Sequence, residues 1–216
     1  WVRAFKYRDG TSDGMLAIAG GKGGSGKTTT TLGLARAVDG PTLAVDADCD
    51  LPNLHALAGV PRDPSPGGFG HPDPASPSSE TRILPAPQDA PDGVGGRLRR
   101  LVDSDDDATV LVDCPAGAGP DATVPLRVAD AVLLVATPCV AALRDAAKTA
   151  AMARAVGTPV VGGVLTRARL APPGVDDLLG CPVLATVPPA ADPLAAPPVR
   201  RAYDDLAQAV CDRPKS

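Results

Sequence analysis

Leu16-Ala17-Ile18-Ala19-Gly20-Gly21-Lys22-Gly23-Gly24-Ser25-Gly26-Lys27-Thr28-Thr29-Thr30-Thr31 is the stretch on which the reading of this chain turns. A short apolar run ends in a glycine-rich turn, and the turn opens into a segment of helical character. Gly21, Gly26, Lys27 and Thr28 fit the phosphate-loop pattern G-x-x-x-x-G-K-[ST]. Glycines let consecutive N–H groups curl around a phosphate chain without Cβ clashes. A helix beginning near Lys27 adds its positive dipole end to the same spot. Lys27 supplies a mobile charge for the outer phosphates, and the Thr28 hydroxyl suits a place on Mg²⁺. The candidate nucleotide-binding set is therefore Gly21, Lys22, Gly23, Gly24, Ser25, Gly26, Lys27, Thr28 and Thr29. A plain glycine turn between strand and helix is the bland alternative, and the pattern in its strand–loop–helix context outweighs it.

Outward from the loop, apolar runs of strand length alternate with helical segments. Met15 opens the first strand, and further strands are expected at Thr42–Val45, Arg82–Leu84, Thr109–Val112, Ala131–Ala136, Val160–Leu165 and Val183–Val187. Helices are expected at Thr28–Val38, Val94–Val102, Val140–Val156 and Val199–Val210, with a short helical piece at Leu51–Leu57. This order predicts an α/β fold: a doubly wound, mostly parallel sheet with helices on both faces. Ligands in such folds sit at the carboxyl ends of the strands. With 216 residues, 44% of them hydrophobic, the chain suffices for one such domain, placed at residues 15–210. Residues 1–14 read as an extension outside the fold and residues 211–216 as a tail. A Pro/Gly-rich insertion at about 60–80 is expected to be loosely packed.

Composition narrows the setting. No apolar run approaches the ~20 residues that cross a bilayer, and no secretory signal is visible. Five cysteines, odd in number and without a C-x-x-C pair, indicate neither disulfide nor zinc chemistry and suit a reduced cytoplasm. A net charge of −4 argues against nucleic acid as the dominant partner. Arg97, Arg99, Arg100, Arg200 and Arg201 accordingly read as solvated faces rather than a DNA-binding strip.

Asp113 ends an apolar strand, the Walker B position, where a carboxylate orients a magnesium-bound water. Cys114 and Pro115 follow it, with no neighbouring acid to position an attacking water. That group must come from elsewhere, and Asp46, Asp48 and Asp50 cluster at the end of another strand. Helix capping is a serious competing role for Asp46 and Asp50. Base choice can be argued by absence: Asn53 is the only asparagine, so there is no N-K-x-D stretch to read guanine, and ATP is favoured.

Lys22 narrows the family. The run Lys22-Gly23-Gly24-Ser25-Gly26-Lys27-Thr28 closely resembles the deviant Walker A motif, K-G-G-x-G-K-T, of the MinD/ParA family of dimeric ATPases. The resemblance implies that Lys22 reaches across a dimer interface to the partner's nucleotide. It implies that Asp48 orients the attacking water, that Asp46 sits near the magnesium shell with Thr28 and Asp113, and that Asn53 is a switch-region residue. Asp113-Cys114-Pro115-Ala116-Gly117 resembles the family's D-[ST]-P-A-G switch, with Cys114 replacing the hydroxyl residue. Ala136-Thr137-Pro138 fits its T-x-P turn. Thr166-Arg167 falls where the family often carries Asn-Arg beside adenine, and Pro188-Pro189 resembles its I-P turn near the base. The implied function is Mg²⁺-dependent ATP hydrolysis by an ATP-dependent homodimer, stimulated by a protein partner, in a positioning or partitioning task.

Two rivals stand beside it. An ATP-dependent synthase of the cobyrinate or dethiobiotin type would need a substrate pocket, which the insertion at Pro61–Pro91 has room to conceal. A metallocluster carrier would need a C-x-x-C pair near the C-terminus, which is absent. After Val210 only Cys-Asp-Arg-Pro-Lys-Ser remains, too short for an amphipathic basic helix, so no autonomous membrane anchor is expected.

Overall fold

The structure, a computed structural model, describes residues 6–8, 11–21, 23–63, 70–77, 80–87, 93–102, 108–117 and 119–211. In chain order the elements are β1 (Lys6–Arg8), β2 (Thr11–Asp13), β3 (Met15–Ala19), α1 (Lys27–Ala37), β4 (Thr42–Asp46), α2 (Leu54–Ala58), β5 (His71–Pro72), β6 (Thr81–Leu84), α3 (Gly93–Val102), β7 (Thr109–Asp113), α4 (Pro120–Val128), β8 (Ala131–Ala136), α5 (Val140–Ala155), β9 (Val160–Thr166), α6 (Val175–Leu179), β10 (Val183–Val187) and α7 (Pro197–Cys211). Eight strands form one sheet in the order β10-β9-β8-β3-β7-β4-β6-β5, parallel throughout except for β5 at the edge. β3, which feeds the phosphate loop, lies between β7 and β8.

Strand side chains alternate between faces, and here both faces are apolar, as a sheet covered on both sides requires. Met15, Ala17 and Ala19 of β3 join Leu98, Leu126, Leu143 and Leu179 from α3, α4, α5 and α6. Leu16 and Ile18 point the other way, into a core with Leu32 and Leu34 of α1, Leu54 of α2, and Val199, Tyr203 and Leu206 of α7. This is the doubly wound sheet the apolar runs predict. Among the described residues no helix is long and apolar enough to cross a membrane.

The differences from expectation have physical causes. α4 is a helix the sequence does not announce, because Pro125 inside it reads as a helix breaker. α6 is only five residues long, held between left-handed Gly174 and Gly180. α2 starts three residues later than expected because the Asp48 carboxylate accepts the Leu51 N–H, while Asp46 accepts the N–H groups of Asn53 and Leu54. Within residues 1–14, β1 and β2 pair antiparallel as a separate two-stranded sheet, and Gly14 O accepts the Val110 N–H of β7 at 3.0 Å. Part of the Pro/Gly-rich insertion, residues 64–69 and 78–79, lies outside the described residues. Within its described part, residues 71–76 are anchored to the rest of the fold. Asp73 is 6% exposed and takes a bidentate pair from Arg36 of α1 at 2.7 and 2.9 Å, and β5 extends the sheet beside β6.

Candidate functional site

The sheet brings the loop after β3 beside the carboxyl ends of its neighbours. Gly24 and Gly26 hold φ of +76° and +94°, a region where side chains other than glycine's are strained. Gly21 is required for another reason: a Cβ there would collide with Asp145 of α5. Gly23 and Gly24 are exposed at the lip of the loop, whereas Ser25 and Lys27 are 4% and 7% exposed. Lys27 is the first residue of α1, so its ammonium is delivered where the helix's free N–H groups gather. Thr28 and Thr29 come next, half-buried. Lys22 lies outside the described residues.

Two carboxylates border the loop. Asp113 pairs in register with Ile18 on one side and Asp46 on the other. Burial pushes its carboxyl up to about 7, against a lowering hydrogen bond from the Thr28 side chain; the Asp46 charge raises it further, and Lys27 pulls it back. Asp46 is also raised, by burial first, and is restrained by N–H bonds from Leu54, Asp48 and Asn53. Those three bonds occupy both of its oxygens, so Asp46 organises the loop leading into α2. Asp48 is half-buried in that loop.

Thr166 and Arg167, at the end of β9, approach the loop from behind. The Thr166 hydroxyl donates to Ser25 O at 2.6 Å, and the Arg167 guanidinium donates to Gly24 O at 2.8 Å. Val187, register partner of Thr166, brings half-buried Pro188 to the same end of the sheet.

The residues fit a nucleotide phosphate with its cation. Ser25 Oγ is buried with no hydrogen-bond partner, inside a loop that turns through left-handed backbone at Gly24 and Gly26. Asp46 raises the cost of charging buried Asp113, a cost that a divalent cation at the Thr28–Asp113 pair would relieve.

The profile of the CobQ/CobB/MinD/ParA nucleotide binding domain matches residues 16–192. The chain belongs to that family. It is 28% identical over 199 residues to an uncharacterized ATP-binding protein of Methanocaldococcus jannaschii, covering 80% of this chain and 73% of that protein. Its fold matches the cell division ATPase MinD of Pyrococcus furiosus with a TM-score of 0.74 at 26% identity, over 92% of this chain and 98% of that one. The septum site-determining protein MinD of Pyrococcus horikoshii, solved with Mg-ADP, matches with a TM-score of 0.74 at 25% identity, over 90% of this chain and 94% of that one. The chain is thus a nucleotide-binding fold of the MinD/ParA type.

Sequence reasoning within this MinD/ParA frame missed three features of the site. Ser25 stands in the candidate binding set by its place in the motif, but the burial of its unpartnered hydroxyl is not legible there. The hold of Thr166 on the loop spans a separation of 141 residues, which no local pattern encodes. The close approach of α5 to Gly21 is likewise a tertiary fact. A further groove of about 810 Å³ lies between α1, α2 and α7, lined by Gly33, Arg36, Leu57, Pro77, Leu194 and Tyr203 among others. Gly33 and Ala37 stand about 9 and 15 Å along α1 from Lys27 at ~1.5 Å per residue, so this groove opens well away from the phosphate loop.

Proposed function

We propose that this chain binds ATP with Mg²⁺ and hydrolyses it, in a cytoplasmic setting, with nucleotide-dependent homodimerisation driving a positioning or partitioning task. One observation carries the reading: buried Lys27 opens α1 behind a loop of left-handed glycines, with Asp113 facing Thr28 across it. Lys27, and Lys22 from the opposite subunit, neutralise the phosphates, while the remaining loop residues from Gly21 to Thr29 surround them. Thr28 and Asp113 hold the cation, with Asp46 beside them ordering the neighbouring loop. A bound Mg²⁺ supplies positive charge to the phosphoryl oxygens in the transition state. Asp48 orients the attacking water, since Cys114 leaves no acid next to Asp113. The loops near Asp48 and Gly117 report the nucleotide state to a protein partner that stimulates turnover.

The family name also covers amide-forming synthases, whose co-substrate must meet the γ-phosphate within about 3 Å. The groove beside α1 lies too far along the helix to hold that co-substrate.

Calorimetric titration with Mg-ATP and Mg-GTP tests the proposal. ATP should bind more tightly than GTP, and Lys27→Ala should abolish binding or turnover. Equal affinity for GTP, or undiminished binding by Lys27→Ala, would overturn it.

A further inference from the structure

Peptide planarity makes the end of β9 informative. In a trans peptide the C=O of one residue and the N–H of the next point in opposite directions. Holding the carbonyls of Gly24 and Ser25 therefore also fixes the N–H groups of Ser25 and Gly26. Both carbonyls are held, and both from the same dipeptide: Ser25 O by the Thr166 hydroxyl at 2.6 Å, Gly24 O by the Arg167 guanidinium at 2.8 Å. Thr166 is 5% exposed, and its methyl would lie 3.1 Å from a Cβ on Gly26, so it sits directly against the loop at a position that only glycine fills without crowding. Arg167 is the only residue other than glycine with positive φ among the described residues, at +54°. This strained backbone comes directly after Thr166 and carries the guanidinium to Gly24, and such strain persists where surrounding contacts enforce it.

We infer that Thr166 and Arg167 are positioning residues: a latch that turns the Gly24 and Ser25 carbonyls away from the nucleotide and aims the Ser25 and Gly26 N–H groups at its phosphates. The inference rests on the nucleotide-binding reading above and adds to it. A hydroxyl has one proton, and that of Thr166 goes to Ser25 O, with Ala136 O more distant at 3.4 Å. Thr166 therefore does not donate to a base. It acts on the part of the ligand that all nucleoside diphosphates share.

The test measures the affinity of Mg-ADP and Mg-GDP for the wild type, Thr166→Val and Thr166→Ser, together with KM and kcat for ATP. Val keeps the shape and loses the hydroxyl; Ser keeps the hydroxyl. Loss of one hydrogen bond that orders the loop should weaken ADP and GDP by the same factor, roughly tenfold for Thr166→Val. Thr166→Ser should restore most of that affinity. KM should rise with kcat nearly unchanged, the pattern of an interaction equal in ground and transition states. Arg167→Ala should act in the same direction. Loss confined to ADP would make Thr166 a base-reading residue and overturn the latch, as would unchanged affinity in Thr166→Val or equal losses in Val and Ser. Wild-type protein that binds neither nucleotide would instead overturn the nucleotide reading itself.

Discussion

Asp46 and Asp113 stand opposite one another as register partners on adjacent parallel strands, 1% and 2% exposed. Two acids so placed cannot both ionise without cost, and the structure divides their duties. Asp46 spends its oxygens on three backbone N–H groups, while Asp113 faces Thr28 and Lys27.

This pair sets a pH dependence. Burial lifts the Asp113 carboxyl from its ordinary 3.8 to about 7, so between those values the folded chain holds a proton that the unfolded chain has released. Stability of the metal- and nucleotide-free protein should therefore fall as pH rises through that window, by on the order of 4 kcal/mol at most. Asp46, also raised, adds to the same trend. Urea unfolding across the window should show this slope in the wild type and a flatter one in Asp113→Asn. Saturating Mg-ATP should flatten it as well, because the cation favours the ionised form.

Asp48→Ala should bind Mg-ATP about as well as the wild type yet hydrolyse it about a hundredfold more slowly or worse, the usual weight of a group that handles the attacking water. Single-turnover phosphate release reads this directly. Wild-type turnover would move the role to another carboxylate.

Gly33→Ala should destabilise the fold even though alanine is the better helix former by about 1 kcal/mol. A Cβ at Gly33 would run into the ring of Tyr203, which is 2% exposed and has its hydroxyl 3.5 Å from Thr30 Oγ1. Overpacking of this kind costs about 1–3 kcal/mol. Denaturant midpoints should show a net loss, smaller in a Tyr203→Leu background, where the obstacle is gone.

Asp73→Ala should remove about 3 kcal/mol, because it strands Arg36, whose side chain is 15% exposed, without its bidentate partner. The same variant should be cut faster by protease around residues 70–77, since that pair ties the segment to α1.

The phosphate loop and the sheet could be read from the chain because their signals are local. The spacing of Gly21, Gly26 and Lys27, and runs such as Ala131–Ala136 with both faces apolar, need no partner to be recognised. What escaped was set by tertiary contact or by local rules overridden. Pro125 sits buried inside α4, a helix that forms despite it. Asp73 looks like one more polar residue in a proline-rich stretch until Arg36 is seen across from it. Thr166 sits where the family often carries asparagine beside the base, and its hydroxyl belongs to the loop.

Nucleotide-gated dimerisation, on which the proposed function rests, is tested most directly by multi-angle light scattering of Asp48→Ala in nucleotide-free, Mg-ADP and Mg-ATP states. Two phosphate loops facing each other would crowd Lys22 and Lys27 of both subunits, and the γ-phosphate would add negative charge that offsets this repulsion. Monomer mass is expected without nucleotide and with Mg-ADP, dimer mass with Mg-ATP, and monomer throughout once Lys22→Ala is added. The same mass in all three states, or a dimer that survives Lys22→Ala, would contradict it.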